Sequence, residues 1–218
     1  MRENKAGRRG RAWIAAGVLL IAAALCMAGY NLWDDVRASA SVSESYEQIE
    51  ELIPKGETVW QGTDSAGEIR YPDYVLNPDM EMPTLEIDGH DYIGTLEIPA
   101  LELSLPVLSE WSYPNLKIAP CRYTGSAYRD SLVIAAHNYT RHFGSLKTVS
   151  IGDEVRFTDA DGNVFFYLVS ELEQLPPTAV DQMQAGDWAL SLFTCTLGGQ
   201  YRVVVRCVPE EDAAQVNF

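Results

Sequence analysis

Between Ala12 and Trp33 the chain runs for 22 residues without a charge. A helix of that length, at about 1.5 Å per residue, covers the roughly 30 Å hydrocarbon interior of a bilayer. Helix is the conformation a lone segment must take there, because only it satisfies every backbone group internally. Trp13, Tyr30 and Trp33 lie near the two ends, where amphipathic rings favour the headgroup level. Arg2, Lys5, Arg8, Arg9 and Arg11 precede the segment against the single acid Glu3, which keeps that end cytoplasmic and puts the rest of the chain outside the cell. The segment reads as a signal anchor crossing the membrane once. A cleaved signal peptide has a shorter apolar stretch, and Ala38-Ser39-Ala40 lies far downstream for its cleavage site. Lipid attachment at Cys26 needs a small residue before it, and Leu25 is not small.

After Arg11 there are 11 basic and 30 acidic residues. Such a body repels a phosphate backbone, so nucleic acid is excluded as a main partner. The four cysteines are scattered, with no CxxC pair and no His/Cys ligand spacing. Neither a zinc site nor a disulfide framework follows, and no metal or cofactor is expected.

Residues 34–55 read as an amphipathic helix, with Val42, Tyr46, Ile49 and Ile53 at steps of four, three and four and Pro54 and Gly56 ending it. Residues 57–91 are polar and carry Pro72, Pro78 and Pro83; they form a linker or a wrap over the domain surface. From Tyr92 onward short β-type runs alternate with turn signals. Strands are expected at 93–98, 103–108, 131–137, 154–158, 164–175, 188–195 and 201–208. Asp161-Gly162-Asn163 makes a tight hairpin between two of them. The same stretch looks like a calcium loop, but its glycine comes too early. Short helices fit 142–149 and 178–183. Seven strands with little helix give a mainly β fold, a closed or nearly closed barrel.

Chemistry outside the cell points first to cysteine, whose thiolate is a nucleophile when a cation stands near. Cys195 ends the run Ala189-Leu190-Ser191-Leu192-Phe193-Thr194-Cys195, and a glycine-rich turn follows, so its thiol sits at a strand mouth. Cys26 is an apolar filler of the span, and Cys121 and Cys207 each adjoin a proline-containing turn, where a disulfide between them is an open alternative. His137 closes the apolar run Leu132-Val133-Ile134-Ala135-Ala136, while His142 and His90 lie off strand ends. Arg202 opens the last strand; residues 202, 204 and 206 share one face, where an arginine ordinarily meets solvent. Cys195 and Arg202 lie on adjacent antiparallel strands joined by six residues, so they are close in space. A guanidinium stabilises a developing oxyanion and an imidazole exchanges protons with thiol and amine. No acid or amide stands out as a third member, against a papain-type triad.

Ser191-Leu192-Phe193-Thr194-Cys195 resembles the Thr-Leu-x-Thr-Cys signature of sortases, with serine for the first threonine. Ile93-Gly94-Thr95-Leu96-Glu97-Ile98-Pro99 through Leu105-Pro106-Val107 is similar to the family's opening strands, Ala136-His137-Asn138-Tyr139 to its histidine motif and Tyr201-Arg202-Val203-Val204-Val205 to its arginine strand. The resemblance implies a membrane-anchored cysteine transpeptidase on a closed eight-stranded β-barrel with short helices. It implies Cys195 as nucleophile, His137 as general acid/base and Arg202 as oxyanion or substrate holder, with Thr194 and Ser191 binding substrate. The implied partners are secreted proteins with a C-terminal sorting motif and an amine of a peptidoglycan precursor or a pilin. The helix before the barrel and the surroundings of His137 lean towards class B. The expected organisation is a basic tail (1–11), an anchor (12–33), a helix with linker or wrap (34–91) and a catalytic barrel (92–218). A thiol endopeptidase using water, and a barrel that only binds, are the rival readings.

Overall fold

The computed structural model describes residues 3–54, 62–63, 69–184 and 187–215. Two compact units emerge, 1–37 and 38–218. Helix α1 (Glu3–Leu52) contributes to both. Within the first unit its side chains from Trp13 to Trp33 are nearly all exposed, and it is long and apolar enough to cross a membrane by length and composition. Trp33 and Arg37 lie at its end, the guanidinium 5.7 Å from the indole centroid and 3.1 Å from Asp34.

The second unit begins with the remaining turns of α1. Ala38, Val42, Ile49 and Ile53 recur along one stripe and are buried, the pattern an amphipathic helix needs to dock on a sheet. The Tyr46 hydroxyl donates to Glu97 and that of Tyr92 to Ser45, tying the helix to the barrel wall.

Strands β1 (Gly62–Thr63) and β2 (Ile69–Arg70) pair as a minimal hairpin, and α2 (Asp73–Leu76) follows. The sheet proper consists of β3 (Leu85–Ile87), β4 (His90–Ile98), β5 (Leu103–Leu108), β6 (Cys121–Thr124), β7 (Leu132–Ala135), β8 (Glu154–Asp159), β9 (Val164–Leu175), β10 (Leu190–Cys195) and β11 (Arg202–Pro209). Helix α3 (Tyr113–Leu116) lies between β5 and β6, and α4 (Val180–Met183) between β9 and β10. The order β4-β5-β6-β7-β10-β11-β9-β8 closes through a β4–β8 pairing, giving a barrel of eight strands, and β3 adds a ninth at the side of β4. Closure depends on Gly94, whose φ is +146°. A Cβ there would stand 1.9 Å from the Thr158 carbonyl oxygen, so only glycine lets the two strands meet.

Strands β7, β10 and β11 are buried on both faces. Leu132, Ile134, Leu190, Leu192 and Val205 point into the barrel, while Val133, Ala135, Phe193 and Val204 pack beneath Ile49, Ile53, Leu116 and Met183. That double burial explains why they read as unbroken apolar runs.

The structure alters four details of the sequence reading. The sheet starts at Leu85, inside the stretch taken for linker or wrap; residues 55–61 and 64–68 of that stretch lie outside the described residues. Strand β6 was missed, since Cys-Arg-Tyr-Thr has no clear alternation and only four residues. The helix expected over 142–149 is a 3-10 turn at Leu146–Thr148, because the preceding backbone closes on Tyr139: His142 and Gly144 both donate to its carbonyl at 3.0 Å. Cys121 and Cys207 are free thiols in different apolar clusters, one on each face of the wall, so they form no disulfide.

Candidate active site

Strands β7 and β10 run parallel, with Val133 opposite Ser191 and Ala135 opposite Phe193. They therefore end at the same rim of the barrel. The Ala136 N–H donates to the Phe193 carbonyl at 3.1 Å, and the Thr194 hydroxyl donates to the Ala136 carbonyl at 2.9 Å. Carried two residues past Ala135, this register sets His137 level with Cys195. On the other side β11 runs antiparallel, and Cys195 is paired with Arg202. Directly opposed residues share a face with Cβ atoms about 5 Å apart. Strand alternation then sorts the side chains. Cys195 and Arg202 fall on the face of Phe193 and Val204, outside the barrel interior, and the same alternation takes His137 there from Ala135.

The loop that follows His137 is tight. The Phe143 N–H donates to the His137 carbonyl at 3.1 Å, and the Tyr139 ring sits 4.9 Å from the imidazole and 5.3 Å from that of buried His142. A Cβ on Gly144 would come within 2.6 Å of the Tyr139 carbonyl oxygen, so glycine is required for the loop to fold back beneath the histidine. Arg202 donates to the carbonyls of Gly199 (3.1 Å) and Tyr201 (3.2 Å), which draws its guanidinium over the turn of residues 196–201. Thr196 staples that turn: its backbone N–H donates to the Tyr201 carbonyl at 2.9 Å and its hydroxyl accepts from the Tyr201 N–H at 3.1 Å.

A cleft of about 360 Å³ opens at this rim. Thr194, Cys195, Thr196 and Leu197 form one wall, and Asn138, Gly144 and Lys147 come from the histidine loop. Arg202, paired with Cys195, and His137 are not among the cleft's lining residues.

Among the three cysteines of the second unit, Cys195 alone reaches solvent. Burial pushes the Cys121 thiol up to about 12 and drives that of Cys207 still higher, so both stay protonated and shielded at neutral pH. Thr194 is buried and its hydroxyl is spent on the Ala136 carbonyl, where it clamps the ends of β7 and β10. Ser191 lies deeper, fully buried and away from the cleft, accepting from Arg206 at 2.9 Å.

Arg206 itself corrects the sequence reading. It was expected to meet solvent, but is 2 % exposed. Its guanidinium donates to Glu173 (2.8 Å), Ser191, and the carbonyls of Met183 (3.2 Å) and Gln182. The connection carrying α4 folds over this face and removes the solvent that an open barrel exterior would supply. Each of the three guanidinium nitrogens then has an acceptor, and one of these acceptors is a carboxylate, as a buried cation requires. The apolar spacing of residues 178–183 gave no hint of that cover.

The family description "Sortase domain" matches residues 96–210, more than half of the chain. The chain belongs to the sortase family. It is 22 % identical over 192 residues to Sortase A of Bacillus anthracis, across 85 % of this chain and 87 % of that protein. Its fold is shared with the Sortase D5 transpeptidase of Clostridium perfringens, at a TM-score of 0.55 and 18 % identity over 78 % of this chain and 98 % of the other. Sortase C1 of Streptococcus agalactiae aligns at a TM-score of 0.49 and 23 % identity, over 57 % and 70 %. Sortases are cell-wall transpeptidases, and this sortase takes that general activity from its family.

Proposed function

We propose that this sortase is a membrane-anchored cysteine transpeptidase that cleaves a sorting signal near the C-terminus of secreted proteins and joins the new acyl end to an amine of the cell wall or of a pilin. The observation that carries the reading is the register around Cys195: it pairs with Arg202 on one side, and on the other the pairing of Ala135 with Phe193 stops two residues short of both His137 and Cys195. In the proposed reaction His137 takes the proton of the Cys195 thiol as the sulfur attacks the scissile carbonyl carbon and the carbonyl electrons move onto oxygen. Arg202, turning from the carbonyls of Gly199 and Tyr201, holds that oxyanion. As the tetrahedral centre collapses the C–N bond breaks, and His137 gives a proton to the leaving amine. The product is a thioacyl group on Cys195. An incoming amine then attacks the thioester, His137 takes its proton, and the C–S bond breaks to release the new amide.

Support for the location comes from the single apolar helix at the N-terminus and the basic residues before it. Residues 1–11 form the cytoplasmic tail, 12–33 the anchor, 34–91 the helix and its connection, and 92–218 the extracellular catalytic barrel. The test is a panel of peptides varied around Leu-Pro-x-Thr-Gly and Asn-Pro-x-Thr-Asn, incubated with the full chain in detergent with and without triglycine. A thioester mass on Cys195 and an amide product that appears only with triglycine are expected. Hydrolysis indifferent to any amine would make the protein a thiol endopeptidase. Capture of no peptide by a folded chain whose Cys195 still alkylates would leave a barrel that only binds.

A further inference from the structure

The two rims of the barrel differ in charge. At the far rim, where Tyr167 of β9 pairs with Pro209 of β11, a small hollow is lined by Asp130, Glu210 and Glu211 and by no base. The cleft at the Cys195 rim is the reverse: Lys147 is the one charged residue that lines it, and no acid does. After Arg11 the chain has 30 acids against 11 bases, so an acid-free cleft holding a cation stands out. A concave site of one sign draws ligands of the other.

The turn that carries Lys147 is firmly seated. Phe143 and Leu146 are fully buried, and the Leu146 N–H donates to the Phe143 carbonyl at 3.1 Å, which pins the 3-10 turn at Leu146–Thr148. Lys147 is exposed, and among the described residues its ammonium has no ion pair or hydrogen bond. Strand alternation then decides which substrate meets it. Thr194 pairs with Val203 and Val203 with Gln174, one step from the Cys195–Arg202 pair, so these three face the other side of the sheet. All three line the cleft, whereas Arg202 and His137 do not. A sorting peptide held on the face of Cys195 and Arg202 therefore leaves the cleft open, and the cleft reaches Cys195 from across the rim. That approach is the one left to an acceptor amine.

Resting on the transpeptidase reading above, we propose that Lys147 selects an acceptor whose amine is accompanied by a carboxylate, as in an amino acid or a short peptide. The ammonium holds the carboxylate, Asn138, Gln174 and Thr196 supply neutral polar partners, and the amine is left to face the thioester. A lysine inside a polypeptide brings its amine without such a group and is disfavoured. Transfer itself is unchanged: the amine nitrogen bonds to the acyl carbon, the C–S bond breaks, and His137 takes the amine proton.

The full chain in detergent, labelled with 13C at the lysine ε-carbons, is titrated with glycine, glycylglycine and triglycine, each beside its C-terminal amide. Lys147 is assigned through Lys147→Gln. Saturable shifts at Lys147 are expected, with the acid bound about three- to fivefold more tightly than the amide at one or more of the three lengths. The preference is lost in Lys147→Gln, kept for the most part in Lys147→Arg, and weakened by 0.5 M sodium chloride. In transfer from a panel peptide captured on Cys195, Lys147→Gln lowers the acid-over-amide ratio of kcat/KM by the same factor. Equal affinity for acid and amide at every length, or a preference that survives Lys147→Gln, overturns the proposal. So does a Lys147→Gln variant that alters capture of panel peptides with Glu against Gln at the x position and leaves the acceptor ratio alone, since the carboxylate is then the donor's. If no peptide is captured while the shifts saturate with the stated preference, the transpeptidase reading fails and the carboxylate site at Lys147 stands.

Discussion

Arg202 stands directly across the β10–β11 ladder from Cys195, yet its guanidinium is held by the carbonyls of Gly199 and Tyr201 on its own turn. The side chain is thus stored within one rotation of the nucleophile. Gly199 and Tyr201 are exposed residues and the Tyr201 carbonyl keeps the Thr196 N–H, so releasing the two costs little, whereas an oxyanion in a cleft offers a full charge. Arg202→Ala is expected to lower transpeptidation of a captured sorting peptide by about 10²- to 10³-fold while leaving iodoacetamide labelling of Cys195 within about twofold. Arg202→Lys recovers only a small part, because a point charge lacks the planar fork. Parallel loss of labelling and activity would mean that the arginine shapes the strand end and does not serve the reaction.

Thiol chemistry separates the cysteines of the barrel. In the native chain at pH 7 to 8, mass mapping after brief alkylation should find Cys195 modified and Cys121 and Cys207 untouched. Raising the pH to 9 should not unmask Cys121, since its thiol loses its proton only near 12 in the folded state. Denaturation should expose all of them. Native labelling at Cys121 would show that the β6 wall opens.

The side-by-side placement of Cys195 and Arg202 was legible because both sit at strand ends that the sequence punctuates. Cys195 and Arg202 are bracketed by an apolar run, two glycines and a valine run, so adjacency followed from chain order alone. The position of His137 was legible for a different reason: five buried residues lead straight to it. What the sequence hid is contact made at a distance. Ser191 matched a motif position, but its partner Arg206 belongs to another strand and Glu173 to a third. The parallel pairing of β7 with β10 is also invisible locally, because some 55 residues separate the strands. Strands β3 and β6 escaped because three or four residues cannot display a period.

Ser191 offers a clean separation of motif from chemistry. Ser191→Ala removes one of the acceptors of a buried guanidinium and is expected to cost about 1 to 3 kcal/mol of stability, read from denaturant unfolding. The KM for sorting peptide should stay within about twofold, because the hydroxyl lies beneath the sheet surface and not in the cleft. A severalfold rise in KM with unchanged stability would restore it to the substrate.

Thr194 should behave in the opposite way. Its hydroxyl is the clasp between the end of β10, which carries Cys195, and Ala136 after β7, the residue before His137. Thr194→Val keeps the volume but leaves the Ala136 carbonyl without that donor, at about 1 to 2 kcal/mol. The turnover number should fall by tenfold or more, since a displacement of about 1 Å between reacting groups is enough. Thr194→Ser, which keeps the donor, should restore most of it.

Acid conditions should reveal the charge stored at the far rim. The Asp130 carboxyl is raised above its ordinary value of 3.8 by burial and by Asp212 and Glu211. A carboxyl that holds its proton more tightly in the folded state favours folding as it protonates, and this contribution is lost as pH rises through its folded value. Asp130→Asn removes the repulsion. Its melting temperature should therefore exceed that of the parent at pH 7, and the difference should shrink as pH falls through the carboxylate range and vanish below about 3.8. Melting curves in buffers from pH 3 to 7.5 at constant ionic strength decide it; a difference that widens towards acid would mean that the Asp130 carboxylate is held by a favourable partner.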